Sequence, residues 1–129
     1  MTGDRFLLDT NIVTAYFNQD PGVLQRLQGI SLYVPSIVLG ELFYGAIKSQ
    51  NSQKNIKRVR DFAALSTILA CDAATAEVYG LIKQRLEIKG RPIPENDIWI
   101  AAIARQHGLT LITRDEHFQH VENLPTEKW

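Results

Sequence analysis

With Cys71 as its only cysteine, the sequence cannot close an intramolecular disulfide, which suits a reducing compartment. A lone thiol is also a poor metal site, so the expectation for Cys71 is a place in the core. Net charge is lacking too, since 14 basic side chains balance 14 acidic ones. No global field draws in a polyanion, and a nucleic acid could be held only by a local patch or through metal ions. Nothing after Met1 reads as a signal peptide, because Asp4 and Arg5 give way to only the short apolar run Phe6-Leu7-Leu8. No apolar run approaches the ~20 residues that span a bilayer. The expected setting is cytoplasmic, with no membrane partner.

What is present is 129 residues at 45% hydrophobic content, enough for one domain, 1–129, with an ordinary core. Phe6-Leu7-Leu8 is too short for a helix but suits the central strand of a parallel sheet, buried on both faces. It stops on Asp9, and Asn11 to Phe17 reads as a short helix. Asn18 to Gly22 breaks the chain, and Val23 to Leu27 suggests another turn or two. Leu32-Tyr33-Val34 is a second strand, ended by Pro35, after which Ser36 is a good N-cap for an apolar helix over Ile37–Ile47. Ser49 to Asn55 reads as a turn, then a helix over Ile56–Leu65 and a third strand over Thr67–Cys71, expected at the sheet edge. Asp72 caps a surface-like helix from Ala73 to about Lys89, ended by Gly90. Glu95-Asn96-Asp97 leads into an apolar helix over Ile98–Gln106, closed by Gly108, and Thr110–Thr113 is a fourth strand. Arg114 to Phe118 reads as a turn or short helix, and Val121 marks a short last strand. This alternation predicts an α/β fold: a parallel sheet with helices on both faces.

Four carboxylates stand out. Asp9 and Asp115 each follow a strand, where ligands gather in open α/β sheets, although either could simply cap the helix or turn after it. Glu41 is the only charge in its helix, and its neighbours on the same stripe, Ile37, Val38, Tyr44 and Gly45, point it toward the sheet. An unpaired buried carboxylate is costly and needs a cation, a hydrogen-bond partner or a shifted pKa. Asp97 lies in the first turn of its helix, where a negative charge also favours the helix dipole, and Ala101 leaves room beside it. If the four share one pocket, hard divalent cations neutralise them best, and an oxygen-only ligand set favours Mg²⁺ or Mn²⁺ over Zn²⁺. Such a site can deprotonate water and clamp a phosphodiester.

Leu8-Asp9-Thr10-Asn11, Ser36 to Leu42, Asn96 to Ala102 and Leu111 to Phe118 together resemble the successive signatures of PIN-domain ribonucleases, specifically the VapC-type toxins of toxin–antitoxin pairs. The resemblance covers essentially the whole chain. It implies a three-layer α/β/α fold with a short, mostly parallel sheet, a homodimer, endonucleolytic cleavage of RNA dependent on Mg²⁺ or Mn²⁺, and inhibition by a VapB-type antitoxin. The family's acidic quartet falls on Asp9, Glu41, Asp97 and Asp115, all as metal-holding or catalytic groups. Asp9 and Asp97 are expected to hold the principal ion, Glu41 to orient or deprotonate the attacking water, and Asp115 to complete the shell or serve a second ion. Asn11 and Thr113 fall on polar positions that line the same pocket. RNA needs basic help outside the acids, and Arg114, Lys54, Lys57 and Arg58 are the candidates, although a solvated helix face accounts for such a run equally well.

Other classes fit less well. A phosphate-transfer receiver domain wants an acidic pair after the first strand and a lysine after the last. A haloacid-dehalogenase-like phosphatase wants a second aspartate where Asn11 stands. A metal-free ribonuclease would use His107, His117 or His120 and the RNA's own 2′-hydroxyl, but these histidines read as structural or surface groups. A catalytically silent PIN-like module that binds RNA or protein is the non-enzymatic alternative.

Overall fold

The computed structural model describes residues 5–129. Four short, largely apolar runs become short strands, Phe6–Leu8 (β1), Tyr33–Pro35 (β2), Thr67–Leu69 (β3) and Thr110–Ile112 (β4), and the polar pair Thr126–Glu127 forms a fifth (β5). They form one sheet in the order β3-β2-β1-β4-β5, with every pair parallel. β1 and β4 are in register over Phe6↔Thr110, Leu7↔Leu111 and Leu8↔Ile112. Leu7, Leu8, Leu111 and Ile112 are fully buried, as expected of central strands covered on both faces.

Among the described residues, six helices, Thr10–Phe17 (α1), Pro21–Leu27 (α2), Ser36–Ile47 (α3), Ser52–Ala64 (α4), Ala73–Ile88 (α5) and Glu95–His107 (α6), complete an α/β/α sandwich with the 3₁₀ helix Glu116–His120. α6 is the most deeply packed: Ile98 and every residue from Ile100 to Ala104 are buried. Ala101, Ala102 and Ala104 let it sit close to its neighbours, and Gly108 ends it at φ 64°, a left-handed turn that glycine adopts without strain.

Several boundaries differ from the expectation. α2 begins at Pro21, whose fixed φ suits a first helical position, and Asp20 caps it through the Gly22 and Val23 N–H groups. Pro35, not Ser36, holds the cap position of α3, without a side-chain bond. α4 starts at Ser52, not Ile56, because its polar first turn needs only a solvent face. β3 stops at Leu69, and Cys71 is exposed, not a core thiol. Val121 is buried but belongs to no strand; the last strand is Thr126–Glu127. β3 does lie at the sheet edge, and Asp72 does cap α5, in a reciprocal box with Thr75.

From β1 the chain proceeds outward through β2 to β3, then returns to the other side of β1 as β4 and β5. The carboxyl ends of β1 and β4 therefore flank the point where winding reverses, and open parallel sheets leave a crevice there.

Candidate active site

Asp9 is the residue at which β1 becomes α1. Its N–H still bonds to the Ile112 carbonyl at 3.0 Å, while its Oδ1 accepts from the Thr10 N–H at 2.8 Å and caps the helix. Oδ2 accepts from the Thr113 hydroxyl at 2.7 Å and from Asn11 Nδ2 at 3.4 Å. Capping and site-building are thus one arrangement. Asp9 is buried, and burial raises its carboxyl pKa; the Thr113 and Thr10 bonds hold it down, and the charges of Glu41 and Asp115 push it up again.

Thr113 and Asn11, expected to line the pocket, join the turn after β4 to the start of α1. The Thr113 hydroxyl oxygen accepts the Asp115 N–H at 3.0 Å, and Asn11 Oδ1 accepts the Arg114 N–H at 3.1 Å. Asp115 is then the cap of the 3₁₀ helix, accepting the His117 N–H at 2.9 Å. That tight turn brings the His117 ring back, with Nδ1 3.1 Å from Asp115 Oδ1 and 3.3 Å from Asp97 Oδ2.

Asp97 reaches this corner from the first turn of α6, where its charge also favours the dipole. Its side chain is only 15% exposed. Burial pushes its carboxyl pKa up to about 6; the His117 bond pulls it down, and the charges of Asp9 and Asp115 raise it. Glu41 is less sheltered than expected. The buried face of α3 is Val38, Leu42 and Ala46, leaving Glu41 half-buried on the rim. There its Oε1 accepts from the Thr10 hydroxyl and its Oε2 from Asn96 Nδ2 at 3.4 Å.

A cleft of about 400 Å³ is lined by Asp9, Thr10, Asn11, Thr14, Glu41, Asp97 and Asp115, so all four acids meet one space. Among the described residues, the metal-ligating atoms that converge within 4.8 Å of one another belong to Asp97, Asp115 and His117; Asp9 and Glu41 stand outside that trio. Convergent carboxylates whose burial and mutual repulsion raise Asp9 and Asp97 fit a divalent cation, which would relieve that repulsion. The carboxylate oxygens suit a hard divalent cation, while the His117 nitrogen adds a donor outside the oxygen-only set expected from the sequence. His117 is the group the sequence reading left outside the site. Its signal was local: it follows Asp115 within one tight turn, so a cap at Asp115 forces the ring back toward the acids.

The basic candidates separate. Arg58 lines a second cavity, of about 250 Å³, that shares Thr10, Thr14 and Glu41 with the acidic cleft. Its guanidinium lies 5.4 Å from the Phe17 ring centre. Lys54 is exposed one turn away, while Lys57 pairs with Asp61 at 2.8 Å on the same helix. Arg114 directs its guanidinium to Asp20 Oδ2 at 2.9 Å and to the Trp129 main-chain oxygen at 2.7 Å.

This crevice, with its acids drawn from β1, α3, α6 and the turn after β4, lies within residues 6–124, which match the PIN domain model. The chain belongs to the PIN-domain family. Within it, the similarity is to VapC proteins. Ribonuclease VapC2 of Haemophilus influenzae is 40% identical over 129 residues, covering 97% of this chain and 98% of the relative. The tRNA(fMet)-specific endonuclease VapC of Shigella flexneri is 34% identical, with the same coverage. Among solved PIN domains, the DNA-bound VapBC from Salmonella typhimurium superposes with a TM-score of 0.91 at 30% identity, covering 97% of this chain and 98% of that one. The chain is thus a PIN domain of the VapC type. No helix among the described residues is long and apolar enough to cross a membrane.

Proposed function

We propose that this PIN domain hydrolyses RNA phosphodiesters in the Asp9–Glu41–Asp97–Asp115 cleft and depends on Mg²⁺ or Mn²⁺ to do so. The observation that carries the reading is the meeting of Asp97 and Asp115 with His117 beside the buried Asp9, at the crevice between β1 and β4. Asp97 and Asp115 would hold the ion where their carboxylates converge with His117, and Asp9, across the same cleft, would complete its shell. When bound, such an ion would supply positive charge at a phosphate and favour deprotonation of a nearby water. Glu41, fixed by Thr10 and Asn96, orients that water and accepts its proton. Thr113 and Asn11 keep Asp9 and the Asp115 turn in place. In-line attack by water leaves a 5′-phosphate and a 3′-hydroxyl.

Arg58 and Lys54 supply the basic contact that the neutral chain otherwise lacks, since Arg58 opens onto the space that Glu41 and Thr10 share with the acids. An antitoxin of the VapB kind is the proposed inhibitor, supported by the VapBC assemblies among solved relatives. A homodimer is proposed as well. Both partners need apolar surface, and Tyr44 and Ile47, 65% and 62% exposed on α3, provide some.

Cleavage of an RNA mixture by the purified, antitoxin-free chain tests the reading. Activity should require Mg²⁺ or Mn²⁺, vanish in EDTA and in Asp97→Asn, and tolerate a 2′-deoxy substitution at the cut site. Activity that survives EDTA and needs the 2′-hydroxyl would instead assign the chemistry to a histidine.

A further inference from the structure

We infer that Arg114 is a positioning residue, clamping the turn that carries Thr113 and Asp115 to α2 and to the Trp129 segment instead of contacting RNA. The inference rests on the ribonuclease reading of the acidic cleft and adds a component to it.

Arg114 lies between two groups of the cleft, yet its cationic end faces away from the acids. Its two guanidinium bonds diverge, Nη2 to Asp20 Oδ2 at 2.9 Å and Nε to the Trp129 main-chain oxygen at 2.7 Å. Both acceptors are themselves held. Asp20 uses its other oxygen to cap α2 through Gly22 and Val23, and the Arg114 bond keeps its carboxyl below the ordinary pKa range. Trp129 sets its ring edge-on to Phe6 of β1 at 5.3 Å and lies 5.7 Å from the Arg26 guanidinium. At its main-chain end, Arg114 donates its N–H to Asn11 Oδ1 at 3.1 Å. The residue therefore ties the β4 turn to α1, α2 and the Trp129 segment at once. Asp115 and Thr113, immediately on either side of it, inherit that placement. A guanidinium fork bridging two fixed acceptors is something a lysine ammonium does not reproduce.

The test compares wild type with Arg114→Ala, Arg114→Lys and Asp20→Ser in the full chain. Serine can still cap α2 but is too short to reach Arg114 as well, so the fold keeps its helix start. Thermal unfolding checks that each variant is folded, Mn²⁺ titration by calorimetry reads the site without any RNA, and steady-state cleavage separates kcat from KM. The expected result is a loss of kcat on the order of tenfold with KM within about twofold of wild type, in all three variants. Mn²⁺ binding should weaken about tenfold in parallel. If Arg114→Ala instead raises KM alone, Arg114→Lys restores it and Asp20→Ser behaves as wild type, Arg114 is an RNA phosphate contact and the inference falls. Unchanged Mn²⁺ affinity in every variant also overturns it. A wild-type chain that cleaves no RNA would defeat the ribonuclease reading, while the Mn²⁺ arm would still decide whether the clamp exists.

Discussion

Thr113 donates its hydroxyl hydrogen to Asp9 Oδ2 at 2.7 Å, a buried bond between residues 104 positions apart in the chain. The same oxygen accepts the Asp115 N–H, so one threonine fixes two acids of the cleft. Thr113→Val keeps the shape and removes both interactions. It should destabilise the metal-free protein at pH 7 by about 1–3 kcal/mol, the usual result of leaving a buried polar partner unsatisfied. Mn²⁺ affinity should fall about tenfold, read by calorimetry.

Asp97 carries the largest pH signature. Its carboxyl, at about 6 in the fold, lies above the ~3.9 of an unfolded chain. The raised value means that stability is lost as pH rises from about 4 through about 6, where the folded protein must give up a proton it holds more tightly than the unfolded chain does. Asp97→Asn in EDTA should therefore match wild type near pH 4 and exceed it by about 1–2 kcal/mol above pH 7, allowing for screening in an open cleft. Saturating Mn²⁺ should reverse the order. Wild type should gain about 2.7 kcal/mol at a hundred times the dissociation constant, and the variant should lose most of that gain. Thermal melts across pH, with and without Mn²⁺, give all four arms.

Glu41 depends on the Thr10 hydroxyl and Asn96 for its orientation. Thr10→Val should lower kcat about tenfold while leaving Mn²⁺ binding near wild type, because the proposed role of Glu41 is to handle the water and not to hold the ion. A parallel loss of Mn²⁺ affinity would make Glu41 a principal holder of the ion.

Ile103 is fully buried on α6, the helix that delivers Asp97. Ile103→Ala should cost about 3 kcal/mol, seen as a lower urea midpoint with an unchanged slope. The fraction that remains folded should still bind Mn²⁺, since the substitution lies on the far part of the helix.

Much of this was legible in the sequence because it is local. Three apolar residues followed by aspartate mark a buried strand end, and a lone glutamate in an apolar helix needs a reason, so Asp9 and Glu41 were visible from their neighbours. The structure brings both into one cleft with Asp97 and Asp115. What escaped depends on partners distant in the chain. Thr10, Asn96 and Asp20 matter through what they touch, and no spacing announces that. β3 ends at Leu69 because its one neighbour, β2, turns into α3 after Pro35. The ladder therefore runs out before Cys71, whatever the propensity of Ala70 and Cys71. Val121 looked like a strand residue because it is apolar, yet the edge beside β4 is filled by Thr126 and Glu127, with the Pro125 carbonyl taking the Leu111 N–H.

The pairing of β1 with β4 has a temporal consequence. Asp9 and Glu41 leave the ribosome early, but the strand that carries Thr113 and Asp115 to them is nearly the last part of these 129 residues to be made. The β1–β4 ladder is among the longest-range contacts of the fold, and it cannot close before β4 exists. A growing chain thus holds half of its acids and no reacting corner. The cleft in which Asp9, Glu41, Asp97 and Asp115 meet therefore cannot form before β4 has been made, however early its first acids emerge.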